Sequence, residues 1–179
     1  MVRQFEETRR SHLVIALSLA SADYASDEEF ELAVSVAGSL GVRAIRDTRD
    51  LSVIVSERTP EFAKRKVFAI KNLSTLSRNR LLDDLALVEK NEAALSLLDI
   101  SRVAGTRLSG VSVAFVICGS ATTPVDIRAA STKFPLGVEV IAVVCDPNSV
   151  PGLRQVAGLS VLTIGFLEEL NRSLLKATT

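Results

Sequence analysis

The sequence predicts an α/β fold whose central sheet is mostly parallel and is covered by helices on both faces. Three observations predict it. Short runs rich in Val and Ile, most of them without clean alternation, read as strands buried on both sides. Segments with apolar residues at helical spacing fall between those runs. The two kinds of segment alternate along the chain, as they do where strands are joined by right-handed helical crossovers.

The first run spans residues 12–19 (HLVIALSL). Ser26, with Glu29 three residues on, forms a capping box ahead of a helix. Phe30, Ala33, Val34, Ala37, Leu40, Gly41, Ala44 and Ile45 then recur at helical spacing. Gly38 and Gly41 each cost that helix about 1 kcal/mol in propensity, and close approach to the sheet is the expected compensation. Residues 51–56 (LSVIVS) form the second strand, and residues 66–70 (KVFAI) a weaker third, expected as an antiparallel hairpin partner at the sheet edge. The basic run Lys64, Arg65 and Lys66 discourages edge-to-edge pairing there. Leu81, Leu82, Leu85 and Val88 mark a second helix, and Ala94, Leu97, Leu98 and Ser101 a third. The stretch from Gly105 to Gly110 reads as a helix stop and a turn. Residues 111–118 (VSVAFVIC) form the fourth strand, and Pro124 opens a short helix that runs to Lys133. Residues 138–145 (VEVIAVVC) form the fifth strand, 147–152 (PNSVPG) a turn cluster, and 160–164 (SVLTI) the sixth strand. A last helix over 166–176 places Phe166, Leu167, Leu170 and Leu174 on one face. Residues 1–11 are a charged lead-in, and 12–179 a single domain.

Composition excludes several functions. The 179 residues carry 21 Lys+Arg against 21 Asp+Glu, which argues against nucleic acid as a partner and against direct contact with an anionic membrane. One His and two Cys are too few for Cys-rich or His-rich structural zinc sites, or for an HExxH protease helix. With no Trp and a single Tyr, aromatic platforms for stacking bases are not expected. The start MVRQFEETRR has no apolar core of a signal peptide, and no run approaches the ~18 apolar residues of a membrane span. The expectation is a soluble chain in a reducing compartment with Cys118 and Cys145 as free thiols.

Ligands of open α/β sheets sit beyond the carboxyl ends of the strands, where strand order reverses. The residues that follow the strands are Ser18 to Tyr24, Gly119 to Thr123, and Asp146 to Asn148. This rim has no Lys, Arg, His or Glu. A triad of Ser18, His12 and an Asp fails on distance, since the two ends of one strand lie about 20 Å apart at ~3.3 Å per residue. The loop from Gly119 to Pro124 lies between strand and helix, but it lacks the Walker lysine and the GxGxxG spacing. Cys118 and Cys145 end neighbouring strands and are expected as buried, inert thiols, with a facing redox pair as the alternative.

The stretch VRQFEETRRSHLVIALSLASADYASDEEFELAVSVAGSLG resembles the C-terminal part of the "domain of unknown function fifty-eight" family, which is similar to von Willebrand factor type A domains. The residues that carry it are Val2-Arg3 followed by Phe5-Glu6, then a strand, a loop, and a helix opening Phe30-Glu31 with small residues at Ala37 and Ser39. The resemblance is sharpest over residues 2–56 and architectural beyond. It implies a Rossmann-like three-layer sandwich with one antiparallel edge strand, in strand order 3-2-1-4-5-6. It also implies a Mg²⁺ site of the form Asp-x-Ser-x-Ser plus a later Asp, because Mg²⁺ demands oxygen ligands in near-octahedral geometry. Ser18, Ala20, Ala22 and Gly119 stand at those positions here, so a degenerate site without metal or other cofactor is expected. The loose carboxylates nearby are Asp23, Asp27 and Asp146.

The function expected on this basis is a non-catalytic protein-interaction platform. Its contact rim comprises Ser21, Asp23, Tyr24, Ser120, Thr122, Thr123, Asp146 and Asn148. The resemblance implies a MoxR-type AAA+ ATPase as partner, and a role in assembly or maturation of other proteins. It also implies a cytoplasmic location, with this chain as the soluble part of a membrane-anchored parent. The alternative is an enzyme binding a small molecule or nucleotide through the loop from Gly119 to Pro124 and Asp146.

Overall fold

The computed structural model describes residues 11–60, 62–65 and 67–177, with the backbone alone for 176 and 177. All of the expected lead-in but Ser11, and Lys66 of the basic run, lie outside the described residues. Among the described residues seven strands form one sheet: β1 (His12–Leu17), β2 (Asp50–Ser56), β3 (Ile70–Leu73), β4 (Val111–Gly119), β5 (Glu139–Cys145), β6 (Gly152–Val156) and β7 (Leu159–Ile164). Their order is β3-β2-β1-β4-β5-β7-β6. The five central strands are parallel, and β3 and β6 run antiparallel at the two edges.

Among the described residues five helices cover the sheet: α1 (Asp27–Arg46), α2 (Arg78–Ala86), α3 (Leu97–Arg107), α4 (Pro124–Ser131) and α5 (Leu167–Ala177). Each of the first four is capped by a hydroxyl, from Ser26, Ser77, Ser96 and Thr123, that accepts a backbone N–H of the opening turn. Two cores result, one per face. Leu13, Ile15, Leu17, Val53, Ile117, Val143 and Leu162 pack beneath α1, α2 and α5, while Val14, Ala16, Ile54, Ala114, Val116 and Ala142 pack beneath α3 and α4. The expected sandwich and strand order hold, with one strand added. The added strand is Gly152–Val156; the turn cluster expected over 147–152 ends at its first residue, and no element is expected over 153–156. This strand forms a second edge hairpin with β7 through Ala157 and Gly158, both at positive φ (51° and 84°). Such a two-residue turn favours Asn-Gly or Asp-Gly, so Ala-Gly gives a faint signal.

Two further expectations are corrected and a third is refined. Gly38 and Gly41 serve the approach of another helix more than that of the sheet. A methyl at Gly41 would lie 2.5 Å from Leu81 Cδ2, and one at Gly38 would lie 3.3 Å from Leu82 Cδ2, both on α2. The helix stop expected between Gly105 and Gly110 comes at Arg107; Gly105 itself lies inside α3, where a methyl would run into the Lys133 carbonyl after α4. The turn comes at Gly110, at φ 69°. The third strand starts at Ile70, four residues later than the run KVFAI suggests. There β3 pairs with the last four residues of β2.

Candidate functional site

The chain leaves β1 toward β2 through α1, and crosses back to β4 through α2 and α3, so strand order reverses between β1 and β4. That is where a doubly wound sheet opens a crevice beyond its carboxyl ends. Here the crevice is filled by the protein's own side chains. A single turn of 3-10 helix, Ser21–Asp23, follows β1 and turns the Asp23 carboxylate inward. Asp23 Oδ2 accepts the Ser18 hydroxyl and, at 3.1 Å, the Leu97 N–H at the start of α3. Tyr24 donates its hydroxyl to the Ser18 carbonyl at 2.7 Å. The Tyr24 ring meets Phe30 edge-on at 5.3 Å.

A second carboxylate closes the other side. Glu29 is 2% exposed. Its Oε2 accepts Ala25 N–H at 2.9 Å and Ser120 N–H at 3.0 Å, and its Oε1 accepts the Ser120 hydroxyl at 2.6 Å. Glu29 thus ties the opening of α1 to the loop after β4. The capping motif alone points its carboxylate at the cap residue. Helical periodicity carries the better signal, because Glu29 falls on the same stripe as Ala33, Val36, Ala37 and Leu40. Among the described residues no Lys or Arg pairs with Asp23 or Glu29.

Gly119 lies against both groups. A methyl there would come within 2.5 Å of Glu29 Oε2 and of Tyr24 Cδ1, and within 2.7 Å of the Asp23 carbonyl. Ser18 and Ala20 are buried beside it and Ala22 is exposed. Asp23, Tyr24 and Thr122 of the expected rim are buried, Ser21 and Asp146 half-buried, and Ser120, Thr123 and Asn148 exposed. Asp146 organises its own loop, accepting Asn148 N–H at 2.9 Å and the Ser149 hydroxyl. Asp27 is exposed and paired with Lys90 at 2.5 Å, which lowers its pKa through that hydrogen bond and the adjacent charge. Among the described residues no group of three or more His, Cys, Asp and Glu side chains is arranged to hold a metal ion. His12 lies at the far end of β1, its Nδ1 hydrogen-bonded to the Ser109 carbonyl at 3.2 Å and its Nε2 to the Ser52 hydroxyl at 2.8 Å.

The thiols do not face each other. Cys145 is opposite Gly119 in the β4–β5 register, and Cys118 opposite Val144, so the two point to opposite faces of the sheet. Burial pushes the Cys118 thiol up to about 12, and pushes Cys145 higher still. Burial likewise raises Tyr24, helped by the neighbouring thiols and carboxylates. Neither thiol should react with Ellman's reagent near about pH 8 in the folded chain, since the thiolate is the nucleophile. Both should react at once in guanidinium; rapid labelling of the folded chain would contradict this placement.

No protein-family model matches the chain, and no curated protein sequence matches it. Among solved structures, it is similar to proximal thread matrix protein 1 of the mussel byssus. The TM-score is 0.52 at 11% identity, over 94% of this chain and 46% of that one. That likeness is one of fold. The chain is also similar to a von Willebrand factor type A protein from Catenulispora acidiphila, with TM-score 0.47 and 11% identity, over 77% of this chain and 34% of that one. It therefore spans less than half the length of either structure. Among the described residues no helix is long and apolar enough to cross a membrane.

Proposed function

We propose that this chain is a non-catalytic protein-interaction platform of the von Willebrand factor A type. Its partner is a MoxR-type AAA+ ATPase, and the pair acts in the cytoplasm in assembly or maturation of other proteins. The partner and setting follow from the resemblance over residues 2–56. One observation carries the platform reading: the crevice at the switch point is closed by Asp23, whose Oδ2 accepts two internal hydrogen bonds, and by Glu29, both of whose oxygens accept internal hydrogen bonds.

The Mg²⁺ that type A domains hold does not fit these residues. The ion needs open oxygen ligands in octahedral geometry, with room for its waters. Here Gly119 stands where a liganding carboxylate would be, and the space beyond its Cα is occupied by Glu29 and Tyr24. The Ser18 hydroxyl is given to Asp23. Calorimetric titration with Mg²⁺ or Mn²⁺ should show no micromolar binding. The loop from Gly119 to Pro124 offers little to a phosphate for the same reason, since the Ser120 N–H is already donated to Glu29.

The direct test is surface binding of a purified MoxR-type ATPase to the immobilised chain, with Asn148→Ala and Ser21→Ala as surface variants. Saturable binding weakened by either variant supports the proposal. Absence of binding, together with thermal stabilisation by a nucleotide, would replace it with the enzyme reading.

A further inference from the structure

The two faces of the sheet are not equally covered. Sheet strands lie about 4.8 Å apart and a helix is about 10 Å wide, so one helix covers roughly two strands. On one face α1, α2 and α5 between them contact all seven strands. On the other, α3 and α4 are the only helices among the described residues, and they lie over β1 to β5. The connection from β5 to β7 is the cause: it runs through the hairpin strand β6 and contains no helix. What remains is a groove of about 270 Å³ between α4 and the β6–β7 hairpin. Its apolar floor is Ile127, Val144, Leu159 and Val161, and Val156, 46% exposed, stands at its outer edge. Arg128 on α4 and Arg154 on β6 stand on opposite walls, both exposed, and the one carboxylate on the lining, Asp146, is engaged by Asn148 N–H and the Ser149 hydroxyl. Among the described residues neither guanidinium has a carboxylate partner.

We infer that this groove docks an acidic amphipathic helix of a partner protein, which completes the α3–α4 layer. The uncovered width matches one helix. The apolar floor takes its leucine-like face, and the two arginines take carboxylates on its flanks, where paired charges set register and orientation. The inference rests on the platform reading above, and adds to it the surface used and the chemistry of the occupant.

The test uses the full chain labelled with ¹⁵N, two synthetic helical peptides of about fifteen residues, and a control in which a central proline breaks the acidic one. One carries a leucine stripe flanked by glutamates; in the other, lysines replace the glutamates. The expected result is saturable shifts with the acidic peptide at Ile127, Val144, Val156 and Val161. Arg128→Glu combined with Arg154→Glu should weaken binding by roughly tenfold at low salt. Both side chains are exposed, so the variant should keep its melting temperature. Equal response to the lysine peptide would overturn the inference. So would equal binding of an acidic peptide broken by a central proline, with shifts confined to the β6 backbone, because an extended strand would then be the occupant. Shifts gathered at Ser21, Thr123 and Asn148, which do not line the groove, would overturn it while leaving the platform reading intact. An inert chain in every titration would overturn the groove, and only failure with the ATPase would reach the platform itself.

Discussion

Replacing Gly119 with alanine should destabilise the fold by about 3 kcal/mol, at the upper end of ordinary overpacking. The added methyl would meet Glu29 Oε2, Tyr24 Cδ1 and the Asp23 carbonyl together. One of these is backbone and two are buried side chains held by hydrogen bonds, so none can swing away into solvent. Urea melts of the two chains measure the difference. Equal midpoints would mean that the space beyond Gly119 Cα is open, and the case against a cation there would lose its main support. Gly119→Asp should be at least as damaging and should not gain Mg²⁺ affinity, because the carboxylate it adds has no room to reach an ion.

Asp23→Ala should cost about as much, near 3 kcal/mol, by a different route. It leaves the Leu97 N–H and the Ser18 hydroxyl without their acceptor in a buried place, and unmet buried polar groups are costly. It also removes a negative charge from the amino end of α3, where the helix dipole favours one. Asp23→Asn separates the two contributions. Both hydrogen bonds converge on one oxygen, which the amide retains, so Asn should recover much of the loss. Equal stability of Ala and Asn would show the charge to be what matters. A loss below about 1 kcal/mol in Ala would show that water replaces the carboxylate and that the cluster is not a structural tie.

Much of this architecture can be read from the sequence because its signals are local. Buried parallel strands announce themselves as unbroken Val and Ile runs, and 111–118 and 138–145 appear within a residue of their observed limits. The Ser26 cap and Pro124 fix two helix starts for the same reason. The edge strand β6 is harder, because GLRQV pairs on one side only and three of its five residues are exposed, so no apolar pattern forms. The site is harder still. The rim residues follow from strand ends, but whether a side chain there turns inward depends on partners distant in sequence. Asp23 meets Leu97, and Glu29 meets Ser120. Proximity to the strand ends made Asp23 and Tyr24 look like contact residues, whereas they are interior ones.

Tyr24 is the only tyrosine in a chain that has no tryptophan. Absorbance and intrinsic emission beyond the phenylalanine band therefore report a single phenol, packed at the junction of β1, α1 and β4. Any loosening of that crown, by denaturant, by a variant or by a docked protein, will register optically without a label.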